Sequence, residues 1–455
     1  MEPLLGKTAN ASKFDYRVNE TAAKLARQSS QMAFTSLAHL MDIDWLHEAY
    51  RRTRKDAAAG VDGMTAEHYE ANLQNHLEEL LDRVKAGTYR APPVRRVHIP
   101  KGNSATETRP IGIPTLEDKV LQRAVAMVLE PIYEQDFYDC SFGFRPGRSA
   151  HQALESIWKQ TMNSHGGWIL EVDIRKFFDT LDHAHLRRLL RHRVRDGVLT
   201  RLIGKWLKAG VLEEGAVTFP HAGSPQGGVI SPALSNIFLH YVLDEWIEQV
   251  VKPRLRGKAF LIRYADDFVM GFTHEEDARR VLAVLPQRLG KYGLAIHPEK
   301  TRLIAFQEPA QEACEKDVGS GQPVGTFTFL GFTHYWGRSP RGRWVVKRKT
   351  ASSRLSRALQ NIALWCRANR HRPVQEQQHM LSQKLRGHFA YYGITGNSRS
   401  LAWFRFEVAR CWRKWLNRRN RERSLDWNIF NRLLERYPLP PARVVHSVYH
   451  RAASP

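Results

Sequence analysis

Short strand-like apolar runs fill the middle of this chain, and longer stripes at helical spacing flank them. Residues 42–54 repeat as a helix, residues 59–64 break the pattern as a loop, and residues 65–85 predict a second helix. Residues 94–99 read as a strand; a polar connection follows, and the run 108–114 returns as its partner, so strand, Gly-containing loop and strand predict a hairpin. Thr115 and Asp118 have the spacing of a capping box, and Leu121, Ala124, Val125, Val128 and Leu129 line one face of the helix they open. Pro131 is expected to stop that helix. A Gly-rich, Arg-bearing loop, residues 141–149, leads into a further helix from about residue 150. Residues 168–174 form a short apolar strand ending on Asp173, and Asp182 sits where it caps a helical run, residues 183–193. Beyond residue 350, Leu355, Leu359, Ile362 and Cys366 recur on one helical stripe, with Arg354, Arg357 and Asn361 on another. The chain reads as α+β.

One stretch resists a purely structural account. Tyr264-Ala265-Asp266-Asp267 lies between the apolar runs 259–262 and 268–270, a strand-turn-strand with two adjacent carboxylates at its tip. Asp is a common turn residue because it bonds its own backbone. Yet two like charges beside buried strands repel and gain no packing, and Asp173 ends a matching strand about ninety residues upstream. Three carboxylates on neighbouring strand ends suit hard divalent cations. Magnesium prefers oxygen ligands, and two ions roughly 3.5 to 4 Å apart clamp the attacking and leaving oxygens of a phosphoryl displacement. That chemistry belongs to polymerases and nucleases.

Charge narrows the substrate. The formal charge is +23, and residues 341–455 hold 25 Lys and Arg against 5 Asp and Glu. The other 340 residues hold 44 against 41, so the basic excess is almost wholly C-terminal. Trp344, Trp365, Trp403, Trp412, Trp415 and Trp427 lie in the same region. Most of these rings are expected in a core, but charge this concentrated repels itself without a polyanion. Lys101 and Arg109 flank the connection of the first hairpin, where they are either ordinary surface cations or a clamp for a triphosphate. Arg145 and Arg148 leave the same choice open between phosphate and acidic partners. Cys140, Cys314, Cys366 and Cys411 are scattered with no Cys-x-x-Cys pair, which argues against a disulfide framework or zinc module and fits a reducing cytosol. No apolar run reaches the roughly 18 residues of a membrane span, so no membrane partner is expected. Residues 1–35 read as a polar extension, poorly ordered unless RNA binds it.

The order of segments is more specific than any one of them. Residues 109–114 (Arg-Pro-Ile-Gly-Ile-Pro), 141–148, 173–179, 223–228 (Gly-Ser-Pro-Gln-Gly-Gly), 264–267, 293–300 and 329–332 follow in sequence, with Leu385-Arg386-Gly387-His388-Phe389-Ala390-Tyr391-Tyr392-Gly393 downstream. Over roughly residues 55–400 the chain resembles the group II intron-encoded reverse transcriptase/maturase family, in an endonuclease-lacking form. The resemblance implies a right-hand polymerase. Its fingers and palm would span residues 36–340, a helical thumb residues 341–400, and a small basic helical DNA-binding segment residues 401–455. It implies RNA-directed DNA polymerase activity with two Mg2+ ions. Asp173 and Asp266 would be the principal ligands, Asp267 would complete the acidic centre, and the Ile174 carbonyl is a further ligand candidate. Lys101 and Arg109 match positions that contact the triphosphate. Phe178 matches the bulky residue that excludes a ribose 2′-hydroxyl, and Gln226 lies near the incoming nucleotide. Lys300 falls in a segment that approaches the active centre in this family.

The implied partners are an RNA template, intron RNA, a DNA primer or target DNA and deoxynucleoside triphosphates, in a bacterial cytoplasm near the nucleoid. Nothing resembling the His- and Cys-bearing endonuclease module of many relatives follows residue 401. Another primer source is therefore expected, such as a nascent strand at a replication fork, or insertion into single-stranded DNA. Two other readings stand beside this one: an RNA-binding splicing cofactor with secondary polymerase activity, and an intron-independent relative serving host repair or defence.

Overall fold

The computed structural model of the chain describes residues 13–29, 31–100, 108–213, 216–218, 227–310, 325–419 and 424–447. Lys101 and Gln226 lie outside the described residues. Two compact units divide the chain, residues 1–153 with 170–303 and residues 154–169 with 304–455. These boundaries follow compactness and differ from those expected at residues 340 and 400.

The elements run α1 (Lys13–Gln28), α2 (Ile43–Arg52), α3 (Ala66–Glu70), α4 (Leu73–Lys85), β1 (Val94–Pro100), β2 (Thr108–Ile113), α5 (Leu116–Tyr133), α6 (Ala150–Asn163) and β3 (Trp168–Asp173). There follow α7 (Phe177–Thr180), α8 (His183–Leu190), α9 (Gly197–Leu207), β4 (Val211–Glu213), β5 (Ala216–Thr218), α10 (Ser231–Leu239), β6 (Ala259–Tyr264), β7 (Asp267–Phe272), α11 (Glu275–Gly290) and β8 (Arg302–Ala305). The remainder is β9 (Phe327–Phe329), β10 (Phe332–Arg338), β11 (Trp344–Thr350), α12 (Ser352–Ala368), α13 (Val374–Tyr392), α14 (Ser398–Asn417) and α15 (Trp427–Arg436).

In the first unit, β1 and β2 form the expected antiparallel hairpin, and the sheet orders as β2-β1-β4-β5. A second sheet orders as β6-β7-β3-β8 and places the strand ending on Asp173 beside the strand that begins at Asp267. Side-chain caps fix the helix starts: Asp42 accepts from Trp45 N at 2.8 Å, Thr115 from Asp118 N at 3.2 Å and Asp182 from His185 N at 2.7 Å.

Five local expectations are corrected. The helix expected over 65–85 is two helices, α3 and α4, separated at Ala71 and Asn72. The Thr115 box closes on one side only, because the Asp118 carboxylate is buried and accepts instead from Tyr89, Trp206 and Gln122. Helix α5 runs through Pro131: Ile132 and Tyr133 are buried, and the Tyr133 hydroxyl donates to Leu190 O at 3.1 Å, which outweighs the bond that proline lacks. Its apolar surface also extends beyond one face, since Val120, Ala126 and Met127 are buried too. Residues 13–28 form helix α1 where a poorly ordered extension was expected. The buried Arg193 guanidinium donates to the carbonyls of Ala26, Ser29 and Met32 and pairs with Asp136, fastening the end of that helix.

In the second unit, β9, β10 and β11 make an antiparallel sheet in the order β11-β10-β9. Helices α12 to α15 share one apolar cluster that includes Ile362, Cys366, Leu385, Phe404, Trp412 and Phe430 and continues to Leu439. The stripe of Leu355, Leu359, Ile362 and Cys366 faces that cluster as its spacing predicts. Among the described residues no helix is long and apolar enough to cross a membrane.

Candidate active site

The paired aspartates sit on a two-residue turn. Strands β6 and β7 pair in antiparallel register up to Tyr264 opposite Asp267, leaving Ala265 and Asp266 as the loop. Ala265 has φ +60°, whereas Asp266 does not enter the positive-φ region, the pattern of a type II′ turn in which glycine normally occupies the first position. An alanine held there costs of order 1–3 kcal/mol and persists only where its surroundings enforce it.

The enforcing group is Arg263, wholly buried one residue before Tyr264. Its guanidinium makes two bonds to Asp244, at 2.8 and 2.6 Å, and donates to Asn236 Oδ1 at 2.9 Å, Ser141 Oγ at 2.8 Å and the Ala265 carbonyl at 3.0 Å. Burial pushes the Asp244 carboxyl up, and the Arg263 charge and bonds oppose that shift. The backbone of residues 140–142 flanks β6, with Arg263 N donating to Cys140 O and Phe142 N to Arg263 O. Asn236 also donates to Gly143 O at 2.7 Å, tying helix α10 to the same loop. Asp244 and Asn236 had no visible motif in the sequence. The one available signal was Arg263 itself, a cation inside an apolar strand that demands a buried partner.

Gly143 is required by this closeness. A Cβ there would stand 2.4 Å from Ala265 N and 2.9 Å from the Tyr264 carbonyl carbon, both backbone atoms unable to move aside. Gly143→Ala is expected to destabilise the chain by about 1–3 kcal/mol through overpacking and to shift the aspartate turn. Denaturant unfolding checks this, and an unchanged midpoint would contradict it.

Asp173, at the end of β3, accepts a bond from Lys300 Nζ at 3.0 Å. The segment carrying Lys300 is held to the strand end by His297 N donating to Asp173 O and Arg175 N donating to Ala295 O, each at 2.8 Å. Ile174 is buried and bridges to Ile296. Burial pushes the Asp266 carboxyl up; its own backbone and the charges of Arg109 and Arg263 pull it down, and the charge of Asp173 adds to the rise. Asp266 therefore senses both Asp173 and Arg109. Asp267 is exposed at the start of β7.

The remaining expected residues divide. Arg109 lies opposite Ile99 in the β1–β2 hairpin. Phe178 is half-buried on α7, its ring 5.3 Å from that of the buried Phe177. Gly227 has φ +114°, and a Cβ there would stand 2.4 Å from Gly112 O, so the turn following Gln226 lies directly on β2. Arg145 and Arg148 take the acidic alternative: Arg145 pairs with Glu134 at 2.9 Å and Arg148 with Asp139 at 2.5 Å.

Among the described residues no group of three or more His, Cys, Asp or Glu is gathered closely enough to hold a metal ion as it stands. The donor chemistry nevertheless fits magnesium. Asp173 and Asp266 supply carboxylate oxygens, and the charge of Asp266 is disfavoured by its burial and by Asp173, a combination that a divalent cation relieves.

A sheet that presents two aspartates on a braced turn beside a third on a neighbouring strand, with a basic β-hairpin in the same unit, defines the fingers and palm of a nucleic-acid polymerase. The chain belongs to the reverse transcriptase (RNA-dependent DNA polymerase) family, which it matches over residues 99–334, and stands with its group II intron-type reverse transcriptases and maturases. It is 38% identical to Protein YkfC of Escherichia coli over 252 residues, 53% of this chain and 65% of that protein. It is likewise 38% identical to the group II intron-encoded protein LtrA of Lactococcus lactis over 232 residues, 51% of this chain and 38% of that one. A 91 kDa protein in the cob intron of Schizosaccharomyces pombe is 25% identical over 417 residues, 79% of this chain and 50% of that one. The chain thus spans less than two thirds of each of these relatives.

Proposed function

We propose that this chain is an RNA-directed DNA polymerase that extends a primer on an RNA template by two-metal nucleotidyl transfer, and that it also binds intron RNA for splicing and retrohoming. The observation that carries the reading is the strained Ala265-Asp266 turn, enforced by the buried Arg263 web and electrostatically coupled to Asp173. A turn that glycine would adopt without strain is maintained with alanine, as at sites where side-chain placement matters more than stability.

In this reading Asp173 and Asp266 hold the magnesium ions, with Asp267 completing the acidic centre. Bound magnesium lowers the pKa of an attacking hydroxyl and neutralises charge on the phosphates. Lys300, bonded to Asp173 at 3.0 Å, offsets part of the negative charge gathered there. Arg109 and Lys101 hold the triphosphate from the hairpin, Arg through a planar fork and Lys as a point charge. Phe178 sets a bulky ring where a ribose 2′-hydroxyl would lie, and Gln226 would serve the incoming nucleotide, as the family motif implies.

The RNA-binding part draws on a cationic surface whose lining includes none of the three aspartates. Two cavities of about 770 and 700 Å3 share Arg187 and Arg191, and the larger is also lined by Arg90, Arg201, Lys205 and Lys208 with no acidic residue. Among the described residues Arg187, Arg191 and Lys208 pair with no acid. Such cations neutralise phosphates and release counterions.

The test is extension of a DNA primer on an RNA template by the full chain with deoxynucleotides, with and without EDTA, beside splicing of a precursor carrying a group II intron. Metal-dependent extension supports the polymerase reading, and its absence removes it. Splicing without extension would favour a splicing cofactor; extension without splicing would favour a host role. Charge reversal at Arg191 and Lys208 is expected to weaken intron-RNA binding and to flatten the plot of log K against log salt by about one unit for each phosphate no longer neutralised. An unchanged slope would remove the cavities from the RNA surface.

A further inference from the structure

Phe144 is unexplained by packing. It lies in the loop between Ser141 and Arg148 with φ +56°, and 57% of its surface is exposed. A bulky side chain in the left-handed region is strained, and exposure of the ring adds a second unfavourable feature.

Both neighbours of Phe144 are fixed. Gly143 closes on the backbone of Ala265 and accepts from Asn236. Arg145, 6% exposed, is bonded to Glu134, to the carbonyls of Tyr138 and Ser141, and lies over the Phe137 ring at 5.1 Å. The loop is therefore built to display one ring. That ring stands 6.3 Å from the ring of Tyr264, two residues before Asp266.

We infer that Phe144 is a positioning platform on which the primer-end nucleotide stacks beside the aspartate turn. This rests on the polymerase reading. A flat apolar ring gains from a nucleobase or sugar, and the loop supplies no cation for a triphosphate because Arg145 and Arg148 are already paired. In the polymerase reading the incoming triphosphate belongs with Arg109 on β2, the strand on which the Gly227 turn lies. The primer end is the nucleotide that must be held against the same turn.

Three full-chain variants test this: Phe144→Ala, Phe144→Trp and Phe144→Gly. The readouts are the Kd for a DNA primer annealed to an RNA template, the KM for deoxynucleotide, kcat and the melting temperature. Loss of one stacked base weakens duplex binding by roughly tenfold or more, so Phe144→Ala should raise Kd by that factor with deoxynucleotide KM little changed. Phe144→Trp should keep parental binding. Phe144→Gly should bind as poorly as the alanine variant while melting higher, because glycine adopts the positive φ without strain.

Parental Kd in Phe144→Ala overturns the inference. So does a Phe144→Gly variant that melts lower with unchanged Kd, which would make the ring structural. A rise in deoxynucleotide KM without a change in duplex Kd assigns the ring to the incoming nucleotide and equally overturns it. Parental failure to extend any primer would instead remove the polymerase reading, a result distinct from all of these.

Discussion

Asp266→Asn is expected to abolish RNA-templated primer extension while leaving the chain at least as stable at neutral pH as the parent. The substitution keeps the volume and a carbonyl oxygen, so the Ala265 turn and the Arg263 web remain. What disappears is a negative charge that the fold holds at a cost. Burial, with the charge of Asp173, raises the Asp266 carboxyl pKa. For an acid so raised, the stability advantage of the protonated form is complete below the ordinary carboxylate pKa and is lost as pH rises through the folded-state value. Asparagine mimics the protonated form at every pH. Measured in EDTA, the stability difference in favour of the variant should be largest near neutrality and vanish in acid. Activity should fall by at least about 10²–10³-fold, the scale of removing one group that stabilises transition-state charge. Persistence of cDNA synthesis would defeat the metal assignment. Splicing retained by the variant would show that RNA binding does not depend on this carboxylate.

The second large effect lies beneath the turn. Arg263→Met leaves Asp244 buried without its cation, and breaking a buried ion pair costs about 3–5 kcal/mol. Asp244→Leu strands the guanidinium and should cost a similar amount. Replacing both groups with apolar side chains removes the unpaired charge, so the double variant should recover much of the stability. It should not recover activity, because the bond to the Ala265 carbonyl and the anchor on Asn236 go with Arg263. Denaturant unfolding and primer extension on the same three proteins separate the two roles. A single variant within about 1 kcal/mol of the parent would contradict the energetic argument. Full activity in the double variant would contradict the positioning argument.

Much of the local structure was legible along the chain. The β1–β2 hairpin, the caps at Thr115 and Asp182, and the strand-turn-strand around Asp266 follow from short-range patterns. Those patterns act over a few residues, through alternation, side-chain caps and turn chemistry. Pro131 and helix α1 depart from those patterns for the opposite reason: burial of Ile132 and Tyr133, and Arg193 reaching back to Ala26, are contacts between segments far apart in sequence.

The sequence by itself determined which chemical groups are present and in what order: Asp173, Phe178, Asp266 and Asp267, Arg109 on a hairpin, and a basic C-terminal region. Only the tertiary structure decided which of them meet. It coupled Asp266 to Asp173 and Arg109, delivered Lys300 to Asp173, paired Arg145 and Arg148 with acids, and left Phe144 displayed beside Tyr264. The physical reason is range. A turn or a cap is settled by neighbours in the chain, whereas an ion pair, a buried charge and a strained φ are settled by what the fold brings within a few ångströms.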